Sequence, residues 1–122
     1  MPGDLPASQT SKNIVIPITI PLKIGWTITA FTINGQIDSG GNTATLDADL
    51  RKHTEATAGY TDASIGAITQ ISKTADYKII DSKGSLAEVV AADESYYILV
   101  TGTTAGTTDI EIASITVTVS EI

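Results

Sequence analysis

The chain has 122 residues, 42% of them hydrophobic and 17% charged, with 7 Lys plus Arg against 14 Asp plus Glu for a formal net charge of −7. That apolar content is too high for a disordered segment, no run is long enough to cross a membrane, and the acidity opposes nucleic acid, whose phosphates call for clustered cations. Cysteine is absent, which excludes disulfides and thiolate zinc sites and leaves one core to be held by burial and backbone pairing alone.

Residues 1–12, with Pro2, Gly3, Pro6 and Ser8, read as a flexible N-terminal arm in which only Leu5 is suited to anchor in a core. They lack the basic start and apolar run of a secretory signal, so assembly or action inside the producing cell is expected. A β-sandwich domain is expected over residues 13–122. Ile14, Ile16, Ile18 and Ile20 alternate with Val15, Pro17 and Thr19, the period of two that gives a strand one apolar face. Pro17 has no N–H for a ladder, which places this strand at a sheet edge or a bulge.

A second strand is expected over residues 26–33. Its inward set shifts from Trp26 and Ile28 to Phe31 and Ile33, which predicts a bulge near Thr29 and Ala30. Asn34-Gly35 and the run from Asp38 to Asn42 read as turns. Residues 43–51 alternate again, with Ala44, Leu46, Ala48 and Leu50 on one face and Thr45, Asp47, Asp49 and Arg51 on the other. Residues 53–62 lack a consistent period and read as a long surface loop, after which Ile65, Ala67 and Ile71 resume a strand. Further strands are expected over residues 77–81, 86–92, 95–101 and 110–119, the last with a bulge near Ala113 and Ser114.

About eight strands at regular spacing, rich in β-branched Ile, Val and Thr and with little or no helix, predict an all-β fold made of a single antiparallel sandwich. Eight strands suit a jelly roll, the preferred reading; seven would suit an immunoglobulin-like sandwich, whose Cys and Trp spacing is missing.

Residues that carry chemistry are few. The single histidine, His53, lies near Arg51, Lys52 and Glu55 with no local nucleophile and orienting acid to form a triad. Ser39 is not in a G-x-S-x-G elbow. Asp47 and Asp49 project from one strand face and have the residue type for calcium or for flanking a sugar, but the loop spacing of a calcium site is absent. The stretch from Gly102 to Gly106 lacks the Lys-Ser or Lys-Thr closure of a phosphate loop. Trp26, Tyr60, Tyr77, Tyr96 and Tyr97 are scattered, and the adjacent rings of Tyr96 and Tyr97 must point to opposite faces of a strand. No catalytic, cofactor-binding or metal-ligating residue is assigned.

Residues 95–119, SYYILVTGTTAGTTDIEIASITVTV, and residues 26–40, WTITAFTINGQIDSG, resemble in texture the small jelly-roll decoration and accessory proteins of tailed-bacteriophage virions. The resemblance covers about half the chain and transfers no functional residue position by position. It implies a non-enzymatic capsid decoration or accessory protein, assembled in the host cytoplasm, often trimeric, whose partners are the major capsid protein or another virion protein and copies of itself. The competing expectations are a carbohydrate-binding module or receptor-binding domain of a phage tail or fibre, and a hydrolase built on Asp47, Asp49 and Glu55.

Overall fold

In the computed structural model, the described residues are 3–5, 12–19 and 22–121. They form strands β1 (Gly3–Leu5), β2 (Lys12–Pro17), β3 (Thr27–Asp38), β4 (Ala44–Ala56), β5 (Gly59–Ala67), β6 (Ile71–Lys73), β7 (Tyr77–Lys83), β8 (Glu88–Val89), β9 (Glu94–Thr103) and β10 (Asp109–Ser120). No helix occurs among the described residues.

Period-two patterning decides which face of each strand turns inward. On β4, Ala44, Leu46, Ala48 and Leu50 are fully buried, and on β9 the same holds for Ile98 and Val100 with Tyr96 close behind. Across from them Ile28, Phe31, Ile33, Ile37, Ile79, Ile110 and Ile112 supply the other wall of one continuous core.

The strands divide into two antiparallel sheets. The first runs β1-β10-β3-β7, with β8 also pairing β3; the second runs β2-β9-β4-β5, with β6 also pairing β4. β5 and β6 occupy successive stretches of one position beside β4, and β7 and β8 do the same beside β3. The ten segments therefore fill eight positions, and the chain crosses between the sheets repeatedly. This is the jelly-roll order of a two-layer sandwich.

Both expected bulges are present. Val119 pairs with Ile28 and Thr118 with Ala30, which leaves Thr29 as the extra residue on β3. Ile112 pairs with Gly35 and Ser114 with Asn34, which leaves Ala113 extra on β10. Among the described residues β2 pairs only with β9, and it carries Pro17 at its last position, as a residue without an N–H requires.

Three expectations are corrected. Asn34-Gly35 is no turn: both residues lie inside β3, opposite the Ala113 bulge. Glycine is needed there because a Cβ on Gly35 would collide with the carbonyl oxygen of Glu111. Residues 53–62 are not a loop but the distal part of a β4–β5 hairpin, paired from His53↔Asp62 to Ala56↔Gly59. Every residue from Glu55 to Ser64 is exposed, so neither face is selected for apolar side chains and the alternation that marks a strand is lost. Within the expected arm, Gly3–Leu5 pairs with Ile110–Ile112 as a sheet strand and Lys12 opens β2. The rest of that arm, and Ile20 of the first expected strand, lie outside the described residues.

Candidate functional site

Two groups of polar side chains are assembled by this topology, one on the outer face of the second sheet and one at an end of the core. The outer group spans three neighbouring strands, because Arg51 on β4 stands opposite Tyr97 of β9 and Ser64 of β5. Arg51 Nη1 donates to Asp49 Oδ2 at 2.8 Å and Arg51 Nε to Asp62 Oδ1 at 2.8 Å. The Tyr97 hydroxyl donates to Asp62 Oδ2 and the Ser64 hydroxyl to Asp49 Oδ1. Both oxygens of each carboxylate are thereby engaged. Asp62 is held below the usual carboxylate range, first by the Tyr97 hydroxyl and then by Arg51, and the Arg51 guanidinium is held above its ordinary value by Asp62 and then Asp49. The arrangement ties β9, β4 and β5 together side by side.

The residues singled out in the sequence do not converge on a reactive centre. Asp47 accepts from Gln70 Nε2 at 3.0 Å, so Asp47 and Asp49 serve different partners. Among the described residues, no three His, Cys, Asp or Glu side chains are grouped to hold a metal ion. His53 lies on the hairpin, 2.9 Å from Glu55 Oε1 and stacked on Tyr60 with ring centroids 4.7 Å apart. The Ser39 hydroxyl donates to the carbonyls of Asn42 and Thr74, which closes the turn before β4.

Tyr60 and Tyr97 share the outer face of the second sheet, opposite Glu55 and Arg51, and the other rings lie elsewhere. Tyr96 is buried inward while its neighbour Tyr97 faces out, as two consecutive strand residues must. Tyr77 contacts Asp81 and lies under Lys73, and Trp26 lies under Lys23. Of the stretch from Gly102 to Gly106, the first two residues belong to β9 and the remainder turns towards β10, with Gly106 at φ 58° and Thr104 buried.

The second group was not singled out in the sequence. Lys52 follows Ala44, Leu46, Ala48 and Leu50 on the inward phase of β4 and reaches Glu88 Oε2 of β8 at 3.0 Å and Glu94 Oε2 of β9 at 3.1 Å. The Tyr96 hydroxyl lies 2.9 Å from Glu88 Oε2 and 3.1 Å from Glu94 Oε1, which also accepts the Ala91 N–H at 3.0 Å. Burial pushes the Tyr96 hydroxyl well above its ordinary value, with Glu88 adding to the shift. Burial also pushes the Glu94 carboxyl up, but Lys52, the Ala91 N–H and Tyr96 outweigh it and leave Glu94 below its usual range. The signal was the alternation itself, which carries a lysine onto a face otherwise made of Ala and Leu.

Beside this cluster an open recess of about 320 Å³ is lined by Ile18, Leu22, Val90, Glu94 and Tyr96. A broader trough of about 600 Å³ runs along Gly35, Ile37, Asp76 and Tyr77. Neither brings together a nucleophile, a base and an orienting acid. The fold and these two groups define an all-β jelly-roll sandwich in which one charged cluster joins neighbouring strands and the other joins the two sheets. No protein-family model, curated protein or solved structure matches the chain.

Proposed function

We propose that the chain is a non-enzymatic structural component of a bacteriophage virion, a capsid decoration or accessory subunit that binds the particle surface and copies of itself. The observation that carries this reading is the open side of the sandwich, where β2 of one sheet and β10 of the other have free edges among the described residues. Ile14, Ile16, Ile18, Ile115, Val117 and Val119 are only partly buried against the core there, and Val15 on the outer side of β2 is 58% exposed. A long β-branched edge left in water is an aggregation hazard, and coverage by neighbouring subunits removes it. The partners are the major capsid protein or another virion protein, with a homotrimer as the preferred self-association and assembly in the host cytoplasm. The net charge of −7 argues against nucleic acid as a partner.

The alternative of a carbohydrate-binding module, or a receptor-binding domain of a tail or fibre, calls for aromatic faces in a row beside free carboxylate and amide groups. The full engagement of the Asp49 and Asp62 carboxylates beside Tyr97 favours the structural reading over it. The test is to purify particles from producing cells and measure the chain's copy number by quantitative mass spectrometry. A fixed stoichiometry with the major capsid protein supports the proposal. Absence from particles, together with a monomer at high concentration, overturns it.

A further inference from the structure

The free edge of β10 has a sequence property that the other strands at sheet edges lack. β1 covers β10 only at Ile110–Ile112, and among the described residues no strand pairs with the stretch from Ser114 to Ser120 on the side away from β3. This stretch reads Ser-Ile-Thr-Val-Thr-Val-Ser. It is a palindrome about Val117 apart from the exchange of Ile115 for Val119, two β-branched residues of similar shape. It also contains no charge, although the chain is strongly acidic, whereas β2, β5, β6, β7 and β8 each carry a charged residue: Lys12, Asp62, Lys73, Lys78 and Glu88. Charged side chains are the usual protection of an edge against pairing with another chain.

The backbone of β10 is directed for such pairing. Thr29 Oγ1 donates to the Thr118 carbonyl at 3.3 Å, so that carbonyl points towards β3. Successive peptide groups in a strand alternate in direction, and the N–H and C=O groups of Ile115, Val117 and Val119 therefore point to the open edge.

We infer that β10 is a self-association edge, at which two copies pair antiparallel across a two-fold axis through Val117. In that register Val117 meets Val117 of the second copy, Ile115 meets Val119, Thr116 meets Thr118 and Ser114 meets Ser120. Apolar residues pair on the core side and hydroxyls pair on the outer side, where Thr116 and Thr118 are exposed. Only a palindromic strand matches like with like at every position of an isologous contact. Glu111 and Glu121 fall outside the paired stretch, so the contact brings no carboxylates face to face. It takes the β10 edge and leaves β2 to the three-fold association proposed above; where both form, the assembly contains pairs of trimers.

The register makes the test specific. Thr116→Glu with Thr118→Glu places two like-charged pairs across the axis, whereas Thr116→Glu with Thr118→Lys places two opposite-charged pairs there, at the same solvent-exposed positions. Sedimentation velocity of the full chain at matched concentrations, with circular dichroism to confirm folding, reads the result. The wild type is expected to sediment as an even-numbered species. The double-Glu variant is expected to halve in mass, with an apparent dissociation constant raised at least about tenfold, and the Glu/Lys variant to restore the wild-type mass. A Val117→Cys variant of this cysteine-free chain should also oxidise to a covalent dimer faster than Gln36→Cys, placed on the outer face of β3. A wild type with an odd-numbered or monomeric mass overturns the two-fold pairing and leaves the virion reading to its own test, as does equal behaviour of the two charge variants.

Discussion

Lys52 on β4 of one sheet and Glu88 on β8 of the other form an ion pair across the end of the core, Nζ to Oε2 at 3.0 Å. Glu94 shares the same ammonium at 3.1 Å. Their side chains retain only 24%, 14% and 9% of full exposure, so two carboxylates would face each other in a poorly solvated site without the lysine. Lys52→Met is expected to destabilise the fold by about 2–3 kcal/mol, the lower part of the range for breaking a buried pair because this one is partly solvated. The penalty should shrink as pH falls through the carboxylate range and the two glutamates neutralise. Urea unfolding of both proteins at a series of pH values checks this.

The Lys52 cluster, with Asp62 of the outer network, sets the pH limits of the fold. Asp62 and Glu94 titrate below their ordinary values, so the stability they contribute is present above their unfolded values and is lost as pH falls through the folded ones. Lys52 is raised by Glu88 and then Glu94, and Tyr96 is raised by burial and then Glu88. Their contribution is present below the unfolded values and is lost as pH rises through the folded ones. A stability plateau is expected between about pH 5 and about pH 9, with a decline on both sides. A urea midpoint that is highest in acid below this window would contradict the assignment.

Gly35→Ala tests the close approach beside the Ala113 bulge. The added methyl group meets the Glu111 carbonyl, which is backbone and cannot move aside without disturbing the β3–β10 ladder. A loss of about 3 kcal/mol is expected, within the range for overpacking a well-ordered site. Denaturant unfolding with an unchanged m-value and a lowered midpoint would show it.

Binding of sugars is expected to be absent. Trp26 is the chain's only tryptophan and sits under Lys23 with 5.5 Å between Nζ and the ring. Its fluorescence should stay unchanged through titration with a panel of oligosaccharides, and a glycan array should give no hits. A saturable change would move the reading to the carbohydrate-binding alternative.

The architecture was legible because burial acts on strands with a period of two. The inward sets of β4 and β9 and the phase shifts at Thr29 and Ala113 follow directly from alternation. The hairpin tip was not legible, because His53, Glu55, Tyr60 and Asp62 pair along their backbones without an opposing sheet to sort their side chains. Gly35 misled for a related reason, since glycine serves a turn and a tight approach between strands equally well. The Lys52 cluster depends on Glu88 and Glu94, which are far from Lys52 in sequence: Glu94 reaches it through the β4–β9 pairing and Glu88 from the opposite sheet. The outer network around Arg51 likewise needs the register of three strands.

The central claim, that this jelly roll works through contacts between subunits, is tested most directly by the midpoint of thermal unfolding as a function of protein concentration. Association of folded subunits stabilises them by mass action, because the unfolded chain takes no part in it. A Tm that rises steadily over about a hundredfold range of concentration is the predicted result. A Tm independent of concentration over that range, in a protein that sediments as a monomer throughout, would contradict the account.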